Sequence, residues 1–148
     1  MPLLAWNDDY SVNNEELDGH HRELMSILNR LYGECLKVDA ENCVGPKLEE
    51  LLAYADYHFK AEEQYMRDIE YFEIDEHIEM HNGFTYKLEE IRRIPHASDL
   101  ELTRELIVYT GKWLLHHVLE DDRKYAIHAA GRGQGRTGSG KGEVEEEI

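Results

Sequence analysis

Apolar residues recur along this chain at the three- and four-residue spacing of amphipathic helices. No stretch of comparable length alternates as a strand would. Four such segments stand out. The first carries Leu17, His21, Leu24, Leu28 and Leu31 on one face, and the second Leu48, Leu51, Ala55, His58, Glu62, Met66 and Ile69. The third reads Ile74, His77, His81, Phe84, Leu88 and Ile91, and the fourth Leu102, Leu106, Tyr109, Trp113 and His117. Local signals set their ends. Pro46 suits a first helical turn, Pro95 forbids continuation of the third segment, and Ser98 with Glu101 forms a capping box before the fourth. The pattern predicts helices near 14–37, 46–69, 73–93 and 99–128, with Gly131 beyond the last. Short links between long amphipathic helices favour antiparallel neighbours, so the expected fold is all-α, an up-down-up-down four-helix bundle.

Every stripe contains a histidine where an aliphatic residue belongs. An imidazole without a partner is awkward to bury, because it gives up its hydrogen bonds to water. His58 and Glu62 are four residues apart and project from one face; His77 and His81 have the same relation. Either pair alone would mean little. Several converging on one interior predict a metal site. Zinc-protease chemistry does not fit, since it requires H-E-x-x-H and here Ile78 follows His77, with the acid at Glu79. Carboxylate-rich di-iron enzymes fit poorly as well, because they use glutamates and E-x-x-H motifs where this chain has many histidines and few inward acids.

Composition narrows the setting. With 148 residues the chain suits one domain, expected over 1–130. A formal net charge of −16 argues against nucleic acid and against an anionic membrane surface. No apolar run approaches the ~20 residues of a membrane span, and none near the start resembles a signal peptide, so a cytoplasmic protein is expected. Cys35 and Cys43 lack the spacing of a zinc knuckle and are expected to be reduced and structurally minor. From Gly131 the chain becomes Gly-rich and then acidic, and 131–148 is expected to be a flexible tail. Its "GRTGSGKG" approaches a phosphate-binding loop, but Gly142 replaces the Ser or Thr that would hold Mg²⁺, and no strand precedes it.

The order His, H-x-x-x-E, H-x-x-x-H, H-x-x-x-x-D resembles the ligand pattern of the hemerythrins, in particular the bacterial single-domain form. The matching stretches are "LDGHHREL" (17–24), "YADYHFKAEEQYM" (54–66), "HIEMHNGF" (77–84) and "WLLHHVLEDDRKY" (113–125), with "WNDDYSV" (6–12) similar to the family's lead-in. The resemblance implies two iron ions in a non-haem di-iron centre with an oxo or hydroxo bridge. Spacing from Asp18 selects His21 over His20, and spacing from Trp113 selects His117 and Asp122, leaving His116 and Asp121 to point elsewhere. His77, His81 and His117 would then serve one iron and His21 and His58 the other, with Glu62 and Asp122 bridging both. The second iron would have one open position. The implied function is reversible O₂ binding for transport, storage or delivery, without enzymatic turnover, by a monomer whose oxidised form takes azide and similar small anions. Sensing through an unidentified protein partner, or a di-iron enzyme handling peroxide, nitric oxide or iron oxidation, are the competing expectations.

Two departures and one difficulty accompany the resemblance. His20 stands where the family often has Gln, and Phe72 where it usually has Pro. The difficulty is Asp122: five residues of α-helix turn by about 500°, so either Asp122 lies at the edge of the inward face or the helix distorts locally. Leu24, Met25, Leu28 and Trp113 are the expected walls of a dry ligand pocket, or plain core packing.

Overall fold

The computed structural model describes residues 3–37 and 42–136. Helices α1 (Glu15–Cys35), α2 (Val44–Asp68) and α3 (Ile74–Arg93) are followed by a fourth rod. That rod consists of α4 (Asp99–His116), a π-helical turn (His117–Asp121) and α5 (Asp122–Arg136). α1 packs against α2 and α4, and α3 packs against the same two. This is the expected four-helix bundle, and no strand occurs among the described residues.

Side chains fix the helix starts. Asn14 caps α1 by accepting from the Leu17 N–H at 3.1 Å, and Ser98 caps α4 by accepting from the Glu101 N–H at 3.2 Å. α2 begins two residues before Pro46, which still lies within the first turn, where its missing N–H has no intrahelical role. α2 ends in a Schellman motif. The Tyr71 N–H reaches the Met66 carbonyl at 2.9 Å and the Glu70 N–H reaches that of Arg67 at 3.0 Å, with Glu70 left-handed at φ 57°. This cap turns the chain into α3 without a proline, and Phe72, in the family's Pro position, points into solvent at 76% exposure.

The stripes predicted from the sequence form the interior. One apolar cluster fills the end of the bundle holding Leu28, Leu31, Leu48, Leu88 and Leu106. A smaller one, built on Val12, Leu17, Met66, Tyr71 and Tyr125, closes the other end. The buried histidines and acids lie between them. The lead-in is tied to α1, with Asp18 accepting from the Val12 N–H at 2.9 Å and from the Ser11 hydroxyl at 2.6 Å.

Two expectations need correction. Cys35 and Cys43 are disulfide-bonded, not reduced thiols. The reversal between α1 and α2 brings their Cα atoms to 5.5 Å, a separation that eight residues of sequence do not reveal. The last helix also passes Gly131 and is helical as far as Arg136, the last described residue. There the Arg132 guanidinium meets Glu70 at 2.9 Å, tying α5 to the end of α2. The rest of the expected tail, 137–148, lies outside the described residues.

Candidate metal centre

Five imidazoles and two carboxylates converge at mid-bundle. His21 comes from α1, His58 and Glu62 from α2, His77 and His81 from α3, His117 from the π turn and Asp122 from the start of α5. All seven are buried, Glu62, Asp122 and His21 completely. Their donor atoms fall into two groups, Glu62 with His77, His81 and His117, and Glu62 with His21, His58 and Asp122.

The carboxylates are divided atom by atom. Glu62 Oε1 lies 2.8 Å from His81 Nε2 and 3.2 Å from His77 Nε2, whereas Glu62 Oε2 lies 3.4 Å from His58 Nε2 and 3.6 Å from His21 Nε2. Asp122 follows the same rule. Its Oδ1 is 3.0 Å from His77 Nε2 and 3.1 Å from His117 Nε2, and its Oδ2 is 3.1 Å from His21 Nε2. Each acid thus offers one oxygen to a three-histidine half and one to a two-histidine half.

The π turn resolves the difficulty of Asp122. The Asp122 N–H bonds to the His117 carbonyl, five residues back, and this wider winding carries Asp122 to the inner face. It also places Asp121, which the sequence sends elsewhere, 3.0 Å from His117 Nδ1. His116 is exposed, as spacing requires. His20 is buried behind His58, with the two Nδ1 atoms 3.1 Å apart. Sequence reasoning missed two further groups. Glu63 accepts from His81 Nδ1 at 2.8 Å, and the Tyr125 hydroxyl donates to Glu62 Oε2 at 2.6 Å.

The donor set fits a borderline transition-metal pair, for which imidazole nitrogen and carboxylate oxygen are suitable ligands. Both nitrogens of His21 and both oxygens of Asp122 are buried with no hydrogen-bond partner, although His21 Nε2 and Asp122 Oδ2 are close. Atoms that approach one another off the hydrogen-bonding direction are placed to share a cation. Without one, the acids hold protons on the rings. Burial opposes charge on His21 and His77, but Asp122 and Glu62 outweigh it and raise both to about 9. His117 is raised by Asp122 and Asp121 against the same burial, and burial lowers His58. Glu62 stays well below the usual carboxylate range despite burial, through its surrounding histidines.

This arrangement agrees with what the chain is related to. Residues 12–127 match the family described as the hemerythrin HHE cation binding domain. The chain belongs to the hemerythrin family. Among its relatives, the bacteriohemerythrin of Clostridium acetobutylicum is 32% identical over 129 residues, covering 83% of this chain and 98% of that one. The hemerythrin-like protein of Naegleria gruberi is 28% identical over 120 residues, covering 81% of this chain and 88% of that one. A crystal structure of a hemerythrin point mutant shares the fold, with a TM-score of 0.76 at 22% identity over 87% of this chain and 98% of that one.

The expected pocket walls separate within this hemerythrin fold. Leu24 and Leu28 are buried one and two turns beyond His21 on α1. Trp113 instead stacks on His117, ring centroids 4.3 Å apart, and so belongs to the three-histidine half. No helix among the described residues is long and apolar enough to cross a membrane.

Proposed function

We propose that this hemerythrin holds two iron ions and binds O₂ reversibly, without turnover. What supports this is the split of Glu62 and Asp122, each directing one oxygen into each half. His77, His81 and His117 would hold one iron and His21 and His58 the other, with the two acids shared. The three-histidine half would then supply five protein donors and the two-histidine half four, so the two-histidine half is the one left short. A small ligand meets the protein there.

The bound iron pair supplies the electrons that O₂ capture needs. The chain supplies the surroundings. Five imidazoles, neutral when they ligate, and only two acids would make the site less electron-donating than a four-carboxylate one, which favours holding O₂ over cleaving it. Leu24 and Leu28, buried one and two turns beyond His21 on α1, would keep water from the two-histidine side. The Tyr125 hydroxyl holds a proton against Glu62 Oε2, so the carboxylate stays oriented between the halves. Transport, storage or delivery by a monomer in the cytoplasm is the role we assign.

The test is an anaerobic O₂ titration of the reduced protein followed by removal of O₂. Full spectral reversal is expected. Irreversible consumption would make the protein an enzyme instead. Azide added to the oxidised form should bind once per pair, and two azides per pair would refute the donor count.

A further inference from the structure

The two halves of the centre differ in what stands behind their histidines. On the three-histidine side, His81 Nδ1–H donates to Glu63 at 2.8 Å and His117 Nδ1–H donates to Asp121 at 3.0 Å. Both acceptors are carboxylates, 17% and 12% exposed. A carboxylate in that place fixes the tautomer that turns the Nε2 lone pair inward and makes the ring a stronger donor. On the two-histidine side the support is neutral or missing. His58 Nδ1 faces the His20 imidazole at 3.1 Å, and His21 Nδ1 has no partner.

Aromatic packing divides in the same way. Phe59 stacks on His81 with centroids 3.9 Å apart and planes 7° from parallel, and Trp113 stacks on His117 at 4.3 Å and 15°. These rings are held in their planes by stacking and in rotation by their carboxylates. His21 and His58 meet only edge to face, at 4.7 Å and 72°. Two independent features therefore pre-orient His81 and His117, two of the three rings of one half, and leave the other half adjustable.

We propose that the halves load unequally: the three-histidine half takes a divalent transition metal first and holds it alone, and the two-histidine half is a weaker, exchangeable second position. Glu63 and Asp121 are positioning residues for the first metal, and His20 is one for the second. The proposal rests on the metal-binding reading above and adds an order to it. Under scarce metal the chain persists as a one-metal protein. The exchangeable position is also the one that small ligands reach.

The test uses Zn²⁺, which is redox-silent, added to metal-free full-length protein with ¹⁵N-labelled histidine, the ring nitrogens being followed by NMR. The first equivalent should move His77, His81 and His117, and only the second should move His21 and His58. Both sets moving together from the first addition, or His21 and His58 moving first, would overturn the order while leaving metal binding intact. No ring moving at all would remove the metal-binding reading with it. Glu63→Gln and Asp121→Asn should each weaken the first step by about 10- to 100-fold and spare the second. His20→Leu should weaken only the second, and His20→Gln, whose amide oxygen accepts from His58, should restore it. Equal weakening of both steps in these variants would mark a general structural effect and refute the positioning roles.

Discussion

The hydroxyl of Tyr125 offers a direct measure of how the acids are held in the metal-free protein. Tyr125 and Glu62 are both 0% exposed, and their hydrogen bond is 2.6 Å long. Solvent and salt therefore screen it little. Tyr125→Phe removes the donor and keeps the ring, which still has its edge contacts with Tyr65 and Tyr71. A hydrogen bond to a charged group contributes about 1.5–3 kcal/mol, and the carboxylate left behind has no water to replace it. The expected loss is about 2 kcal/mol, or a fall of about 4–8 °C in Tm for a chain of this size.

Urea unfolding of the metal-free protein at pH 7, followed by circular dichroism, reads this loss from the midpoint at unchanged slope. Two controls sharpen it. Tyr71→Phe removes a 3.4 Å contact to the part-buried Glu73 and should have an effect below about 0.5 kcal/mol. In a Glu62→Gln background the effect of Tyr125→Phe should shrink to about 1 kcal/mol, since the bond is no longer charge-assisted. A loss below about 0.5 kcal/mol for Tyr125→Phe, or one unchanged by Glu62→Gln, would refute the reasoning.

Other expectations are read from the same protein. His21 and His77 are raised from 6.5 to about 9 without metal, so their contribution is complete below pH 6.5 and fades as pH rises through 9. Glu62 is depressed from 4.5, so its contribution is complete above pH 4.5 and fades in acid. Burial lowers His58, so its protonation below pH 6.5 opposes folding, but His21, His77 and His117 are raised together. The urea midpoint of the metal-free protein should therefore be higher at pH 6.5 than at pH 9, and a maximum above pH 9 would contradict this. Metal added at pH 7 should release protons, measurable in a pH-stat, because the rings bind metal only when neutral. Replacing both Cys35 and Cys43 with Ser opens a short loop and should lower stability by about 2–3 kcal/mol, with metal content unchanged by elemental analysis. Glu70→Gly relieves a left-handed residue and should raise stability by about 0.5–1 kcal/mol, net of the exposed Arg132 contact, in the same urea assay.

Much of the bundle was legible because helix burial has a period, and six of the seven converging side chains, all but Asp122, lie on the stripes that period defines. What stayed hidden does not repeat. The disulfide depends on how α1 and α2 reverse, and neither cysteine lies in a motif. The π turn adds a residue without breaking the helix, so a template of fixed period sees only a misplaced Asp122. Phe59 and Trp113 sat in apolar segments as ordinary core, and nothing local says that their faces cover imidazoles.

The supporting groups were hidden for a more general reason, and they do leave a trace. Glu63 follows Glu62, His20 precedes His21 and Asp121 precedes Asp122. Each stands beside an inward residue, and one step along an α-helix turns a side chain by about 100°, off the inward stripe and toward a neighbouring helix. Glu63 on α2 thereby supports His81 on α3, and His20 on α1 supports His58 on α2. The doublets at 20–21, 62–63 and 121–122 carry that trace, one member facing the centre and the other standing behind a ring, whereas in the doublet at 116–117 the companion His116 is exposed. Asp121 shows the limit of that rule. In an unbroken α-helix it would be the residue four after His117 on the inward side, and Asp122 would turn away. The π turn lets both acids meet one ring, Asp121 at Nδ1 and Asp122 at Nε2, at 3.0 and 3.1 Å. A single extra residue thus supplies His117 with a supporting carboxylate and the centre with a shared one, which explains a five-residue spacing that a regular helix could not use.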